Sequence, residues 1–270
     1  MNTIYSKIND ILKERGSCAL CTVVSTSGST PMKAGAKMIV CDNRDIVGTI
    51  GGGDLEKKVI ENAIEVIIQK KSEQFNHNLL QQHAMCCGGK VTIFIDYIQR
   101  AERLYVFGAG HVGRALSTLA SALNFEVFVI DERRSEMNKL IPSDINKIQM
   151  SYKDILPTLP FDENTYTAIM TRDHAMDREI LSFCIQKQNA YIGMIGSKRK
   201  VEITKKMFVS GGICTEQKFN EIDTPMGIDI NAHSPEEIAV SILARMIMIK
   251  NKTKAKKSSI THQLLSRESL

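Results

Sequence analysis

Apolar residues along this chain follow two rhythms. Ile4, Ile8, Ile11 and Leu12 stand between charges at helical spacing, so residues 1–16 predict an amphipathic helix. From Cys18 onward the pattern turns strand-like. Cys18 to Val24, Lys37 to Cys41 and Ile46 to Ile50 read as short strands, with Asp42, Asn43 and Arg44 supplying a turn between the last two. Gly51, Gly52 and Gly53 then interrupt the run. Leu55, Val59, Ile60, Ala63, Val66 and Ile67 mark a helix over Asp54 to Gln69, and Val91 to Ile98 closes this half as a buried strand. Beyond a polar hinge, Gln99 to Arg103, strands and helices alternate to about Lys250, the pattern of a parallel sheet covered by helices.

Composition narrows the function classes. The 270 residues are 43% hydrophobic and 24% charged, which suits one large domain or two modest ones. No apolar run approaches the roughly 20 residues of a membrane span, and the N-terminal helix lacks the apolar core of a secretory signal. We therefore expect a cytoplasmic protein whose seven cysteines are reduced. The net charge of +5 falls wholly after residue 249, where Lys250, Lys252, Lys254, Lys256, Lys257 and Arg267 outweigh Glu268. A neutral body with a basic tail over 251–270, expected to be poorly ordered, argues against nucleic-acid binding.

The second half opens on a specific motif. Strand Leu104 to Phe107 runs into Gly108, Ala109, Gly110, His111, Val112 and Gly113, a GxGxxG before a helix reaching Leu123. Strand Glu126 to Ile130 follows and ends in Asp131, 23 residues after Gly108. In such a unit two glycines let a pyrophosphate approach the helix N-terminus, the third allows close packing, and the acid can bind ribose hydroxyls. The spacing predicts a Rossmann fold. Occupation by NAD(P) is a separate inference, and Arg133 and Arg134 leave the 2′-phosphate of NADP open. Asp173 and His174 follow the strand Tyr166 to Met170, where parallel strands present ligands, making His174 a candidate proton donor. Ser197, Lys198, Arg199 and Lys200 form a second, cationic turn that can bind an anion or simply face water.

The first half holds two further glycine-rich places. Gly51 to Gly53 can cradle a phosphate, although Asp54 can instead cap the helix that follows. The loop Ser25 to Gly35 is rich in hydroxyls and carries Lys33. Cys18 and Cys21 point to opposite faces of a strand, which disfavours a metal or redox pair. Cys86 and Cys87, before Gly88 and Gly89, lie in a loop-like stretch where a functional thiol and a structural one stand equal. His83 nearby completes too few ligands for zinc.

Taken together, STSGSTPMKAGAKMIV, GTIGGGDLEKKV, MCCGGKV, VFGAGHVG with VIDERR, TRDHAMD, YIGMIGSKRK and TPMGIDINAHSPEEIAVSI resemble the XdhC/CoxI family, over about Cys21 to Met248. The resemblance implies an α/β protein of two domains, a smaller α+β XdhC/CoxI domain over 1–99 and a Rossmann-type domain with a parallel sheet over 103–250. It implies an accessory factor or chaperone that binds the molybdenum cofactor (molybdopterin), supports its sulfuration with a cysteine desulfurase, and delivers it to a molybdenum hydroxylase apo-enzyme. Carried over by residue, it assigns cofactor binding to Gly51, Gly52, Gly53, Glu56, Cys87, Gly88 and Gly89, and the dinucleotide fingerprint to Gly108, Gly110, Gly113 and Asp131. Cys87 is then the contact to molybdenum or the transferred sulfur. Lys33, where the family pattern usually has Arg, joins the glycines at the phosphate, with Ser27, Ser29 and Thr30 along the pterin. Arg245 and Cys86 depart from that pattern.

Two rivals stand beside this reading. A NAD(P)-dependent oxidoreductase with His174 as proton donor explains the fingerprint, and a purely structural adaptor predicts no small-molecule binding. The apolar helix Glu236 to Ile249 offers a homodimer seam or a face buried within the monomer.

Overall fold

The structure, a computed structural model, describes residues 3–79, 89–140 and 143–265, with side chains followed as far as Lys252. It contains two compact units, and the backbone passes from one to the other between Arg100 and Ala101 and again, within the last helix, between Lys254 and Ala255.

The first unit is a five-stranded antiparallel sheet with a helix on each face. Its elements are α1 (Ile4–Arg15), β1 (Ser17–Ser27), β2 (Lys37–Val40), β3 (Ile46–Gly48), α2 (Gly53–Gln69), β4 (Glu73–Asn78) and β5 (Lys90–Gln99). Strand order is β3-β2-β1-β5-β4. Period-two alternation divides β1 cleanly. Ala19, Cys21 and Val23 pack with Leu55, Val59, Ala63 and Val66 of α2, whereas Cys18 and Leu20 meet Ile8 of α1 on the opposite face. Cys18 and Cys21 are thus buried thiols on two sides of one sheet, and burial raises Cys18 to about 11 and Cys21 to about 12. Strand β4, with sequence EQFNHN, has no apolar alternation to announce it. Pairing with β5 from Glu73 opposite Ile95 to Asn78 opposite Lys90 makes it a strand.

The second unit is a doubly wound parallel sheet. Its elements are β6 (Arg103–Phe107), α3 (His111–Ser121), β7 (Glu126–Ile130), α4 (Arg134–Met137), β8 (Asn146–Ile148), α5 (Tyr152–Ile155), β9 (Thr165–Ile169), α6 (His174–Cys184), β10 (Tyr191–Met194), α7 (Lys198–Ser210), α8 (Glu216–Asn220) and α9 (Pro235–Leu265). The order β10-β9-β6-β7-β8, parallel throughout, is the Rossmann arrangement, and strand order reverses between β6 and β9. Strands β6 and β9 are buried along their whole length because helices cover both faces. Leu116 and Ala120 of α3 join Ala239, Ile242, Leu243 and Met246 of α9 on one face, and Ile180, Leu181, Val201, Phe208 and Phe219 of α6, α7 and α8 fill the other.

Of the two fates open to the apolar face of helix α9, burial within the unit is the one observed. Its apolar face is spent on the unit's own core, which removes the main argument for a dimer seam. Its backbone also carries on to Leu265 through the basic segment expected to form a separate tail. No glycine or proline follows Pro235 to stop it. Its start is a capping box with Pro at the first helical position. Ser234 Oγ accepts from the Glu237 amide at 3.2 Å, and a Glu237 carboxylate oxygen accepts from the Ser234 amide at 3.1 Å and that of His233 at 2.7 Å. Among the described residues, no helix is long and apolar enough to cross a membrane.

Candidate functional site

Two glycine motifs of the first unit converge on one loop. A Cβ added at Gly51 would stand 2.7 Å from Cβ and Cγ of Pro31, and one added at Gly89 would strike the carbonyl of Ser29 and approach that of Ser27 to 2.8 Å. The hydroxyl-rich loop is thus held between the triple-glycine turn and the glycine that ends the CCGG element. Leu79 donates its amide to the Gly89 carbonyl at 2.9 Å, so the chain leaves and re-enters this place at adjacent points. Within the loop Thr30 Oγ1 donates to the Met32 carbonyl at 3.1 Å, while Ser27, Ser29 and Lys33 are exposed. Cys86, Cys87 and Gly88, together with His83, lie outside the described residues.

The triple-glycine turn is not an open phosphate cradle. Glu56, one turn into α2, sends its carboxylate back over the glycines: a single oxygen accepts from Thr49 Oγ1 at 2.6 Å and from the amides of Gly52 at 3.2 Å and Ile50 at 3.3 Å. The Gly51 amide goes to Thr49 Oγ1 at 3.1 Å. The expected competitor, Asp54, caps nothing and pairs on the surface with Lys57. A phosphate therefore does not fit Gly51 to Gly53 as they stand, because their neighbourhood already holds an anion of the chain's own. Glu56 belongs to this turn as an acceptor and not as a ligand to a cofactor phosphate.

In the second unit the three fingerprint glycines divide their labour by geometry. Gly108, with φ +113°, sits so close to the Met170 carbonyl that a side chain would collide there. Gly113 packs equally tightly on the Gly108 carbonyl. Nothing lies within 4 Å of a Cβ at Gly110, so this face of the turn is open to a ligand. A pyrophosphate fits this loop.

Asp131 behaves differently from the ribose-binding acid the motif suggests. It is fully buried, and both oxygens are taken: one accepts from the Ala109 amide at 2.8 Å and Arg133 Nη2 at 2.6 Å, the other from the Arg133 amide and Nε, each at 2.9 Å. Burial alone would raise its carboxyl group, but the Arg133 side chain, the two amides and the guanidinium charge hold it below the usual carboxylate range. Asp131 thus closes the glycine loop onto the end of β7, and Arg133 is committed to it instead of to a 2′-phosphate. The adjoining cavity, between Arg133, Tyr152, Thr171 and Asp173, measures about 60 Å³. That is small against the hundreds of Å³ of ordinary small-molecule sites. Asp131 therefore has no oxygen left over for ribose hydroxyls in this arrangement.

His174 and Lys200, which the sequence leaves apart, meet at the carboxyl edge of the sheet. Asp177, almost wholly buried, accepts from the Thr171 amide at 2.9 Å and from Thr171 Oγ1 at 2.7 Å on one oxygen. Its other oxygen stands 3.1 Å from His174 Nδ1, while Lys200 Nζ, from the first turn of α7, contacts His174 Nε2. Burial raises Asp177 above the ordinary carboxylate value, against the opposing pull of Thr171 and His174. Asp173 caps α6 by accepting from the Ala175 amide at 2.9 Å, so it serves the helix. No group of three or more His, Cys, Asp or Glu that could hold a metal occurs among the described residues.

Comparison with known proteins agrees with this architecture. Residues 11–78 match the XdhC and CoxI family, and residues 104–246 match the XdhC Rossmann domain. The chain belongs to the XdhC/CoxI family. An Escherichia coli protein, the uncharacterized protein YqeB, is 31% identical over 254 residues, covering 92% of this chain and 46% of its own length. A Bacillus subtilis protein, one of the probable subunits of a xanthine dehydrogenase, is 29% identical over 161 residues, 59% of this chain and again 46% of its own. This XdhC/CoxI chain thus spans about half the length of the curated relatives it matches. A solved structure of a xanthine dehydrogenase from Bacillus halodurans shares its fold at TM-score 0.51 and 21% identity, covering 91% of this chain and 95% of that one.

Proposed function

We propose that this XdhC/CoxI chain is an accessory factor in the maturation of a xanthine-dehydrogenase-type molybdenum hydroxylase, working in the cytoplasm beside the apo-enzyme and a cysteine desulfurase. Family membership supports the role. The observation that carries its location is the convergence of the Ser27–Met32 loop, Gly51 and Gly89 in the first unit. Molybdopterin would bring a dithiolene-held metal and a phosphate. Exposed Ser27 and Ser29 suit the polar edges of a pterin, and Lys33 in place of the glycine turn suits the phosphate. Cys87, two residues before the Gly89 that packs on this loop, is the proposed contact to metal or sulfur.

The test is to co-express the chain with an intact cofactor pathway, purify it, and assay molybdenum and oxidised pterin. Near-stoichiometric pterin in the wild type, lost in Lys33→Ala, supports the reading. Cys87→Ala should retain pterin yet fail to yield active hydroxylase. A protein that carries no pterin while hydroxylase activity still depends on it would turn the reading toward an adaptor role.

A second reading rests on the open face at Gly110, namely that the Rossmann unit binds a phosphate-bearing nucleotide. With Asp131 and Arg133 bound to one another, we propose this as phosphate recognition without ribose readout. The oxidoreductase alternative, with NAD(P) as hydride carrier and His174 as proton donor, needs turnover of NAD(P)H. Absence of turnover alongside nucleotide binding would leave the phosphate site and remove the dehydrogenase.

A further inference from the structure

The contact between His174 and Lys200 brings two basic groups together without a shared carboxylate. Asp177 is held by Thr171 from behind and faces Nδ1, an acceptor placed to receive a proton there, which leaves Nε2 turned toward the Lys200 ammonium. Among the described residues no carboxylate lies within ion-pair distance of Lys200. If His174 takes up a proton at Nε2, the imidazolium and the ammonium repel each other, and both point N–H donors toward whatever lies between them.

We propose that Asp177, His174 and Lys200 form a proton-linked site for a tetrahedral oxyanion, such as a phosphate ester, at the carboxyl edge of the Rossmann sheet. An entering oxyanion parts Lys200 from His174, and Nε2 binds one proton from solvent. The anion then accepts from Nε2–H and from the ammonium, while Asp177 balances the imidazolium across Nδ1. Only an N–H bond is formed. Charged and titratable groups stand on every element that carries or adjoins the pair: Arg172 and Asp173 in the preceding turn, Arg178 on α6, Lys198, Arg199 and Glu202 on α7, the Tyr152 phenol on α5, and Asp131, Glu132 and Arg133 at the end of β7. Cations outnumber acids on the two segments that carry the pair, which favours an anion. The site is independent of the molybdopterin reading, which concerns the first unit.

Sulfate is the probe of choice because it does not itself titrate near neutrality. We expect calorimetric titration of the full chain, in buffers of differing ionisation enthalpy, to show uptake of about one proton per sulfate bound. Affinity should rise as pH falls through the range in which imidazoles titrate. Lys200→Met should weaken binding roughly tenfold or more, the loss expected of one charge-assisted hydrogen bond. His174→Gln should abolish the proton uptake while leaving weak, pH-independent binding. Both side chains are partly or fully exposed, so the variants should fold. Nitrogen-15 spectra of the imidazole give a second readout, since Nε2 should change from acceptor to N–H on adding sulfate. No sulfate binding, binding without proton uptake, or binding indifferent to Lys200→Met would each overturn the proposal.

Discussion

Both units set glycines in front of a helix, and both bring a carboxylate to the amides there, yet the two turns end up with opposite access. In the first unit Glu56 reaches back from inside α2 and lies over Gly51 to Gly53, so the acceptor sits where a ligand would. In the second, Asp131 approaches from the neighbouring strand and takes the Ala109 amide from behind, leaving the outer face at Gly110 clear. The sequence signal is nearly the same, a glycine run and a nearby acid. What separates a self-filled turn from an open one is the direction from which the acid arrives, and that is a property of the sheet.

Five substitutions at four residues sharpen or break this contrast. Asp131→Ala should cost the most, about 3–5 kcal/mol, because it strands the Arg133 guanidinium and two amides beside a buried site. Denaturant unfolding measures it. The pH dependence carries the same information. Asp131 has a lowered native value, so its stabilisation is fully present above the unfolded carboxylate value near pH 4 and is lost as pH falls through the native one. Asp131→Asn should remove that part of the acid limb.

Gly113→Ala comes next. Alanine would ordinarily gain up to about 1 kcal/mol inside a helix, but here its methyl meets the Gly108 carbonyl, and a net loss of roughly 1–3 kcal/mol is expected. A neutral or stabilised variant would mean that this close approach is not needed. Glu56→Ala should follow at about 1–2 kcal/mol, through release of the Ile50 and Gly52 amides, with thermal unfolding as the measurement. Smallest for stability is Gly110→Ala, under about 1 kcal/mol, since its methyl meets nothing. If the open face receives a phosphate, this variant should nonetheless lose nucleotide affinity by equilibrium dialysis.

Much of the fold is written in periodicity. The alternation of β1 and the helical spacing of α2 and α9 appear in the chain as they do in the packed units, because burial on one face demands them. Strand β4 is invisible by the same logic, since all its side chains but Phe75 are polar and only its ladder with β5 defines it. The site is legible in part. GxGxxG announces the loop, and the distance to Asp131 announces the second strand, but nothing local states that Arg133 turns back onto that acid. Nor does the sequence choose between Asp54 and Glu56 for the glycine turn. Glu56 wins because it stands a full turn into α2, where its side chain reaches back toward the helix start. The meeting of His174 with Lys200 joins residues 26 apart and depends on β9 and β10 being neighbours. By contrast, the signal for the Ser234–Glu237 capping box is local, carried by the four residues SPEE alone.

The distribution of thiols has a practical outcome. Cys18, Cys21, Cys41 and Cys184 are all buried, and Cys184 is raised to about 12, so a thiol-reactive dye applied to the folded protein meets them slowly. Cys214 is the exception among the described residues. Replacing it with serine would leave Cys86 and Cys87 as the remaining candidates for fast labelling, so stopped-flow alkylation of that single variant becomes a direct reporter of the CCGG element in the intact chain.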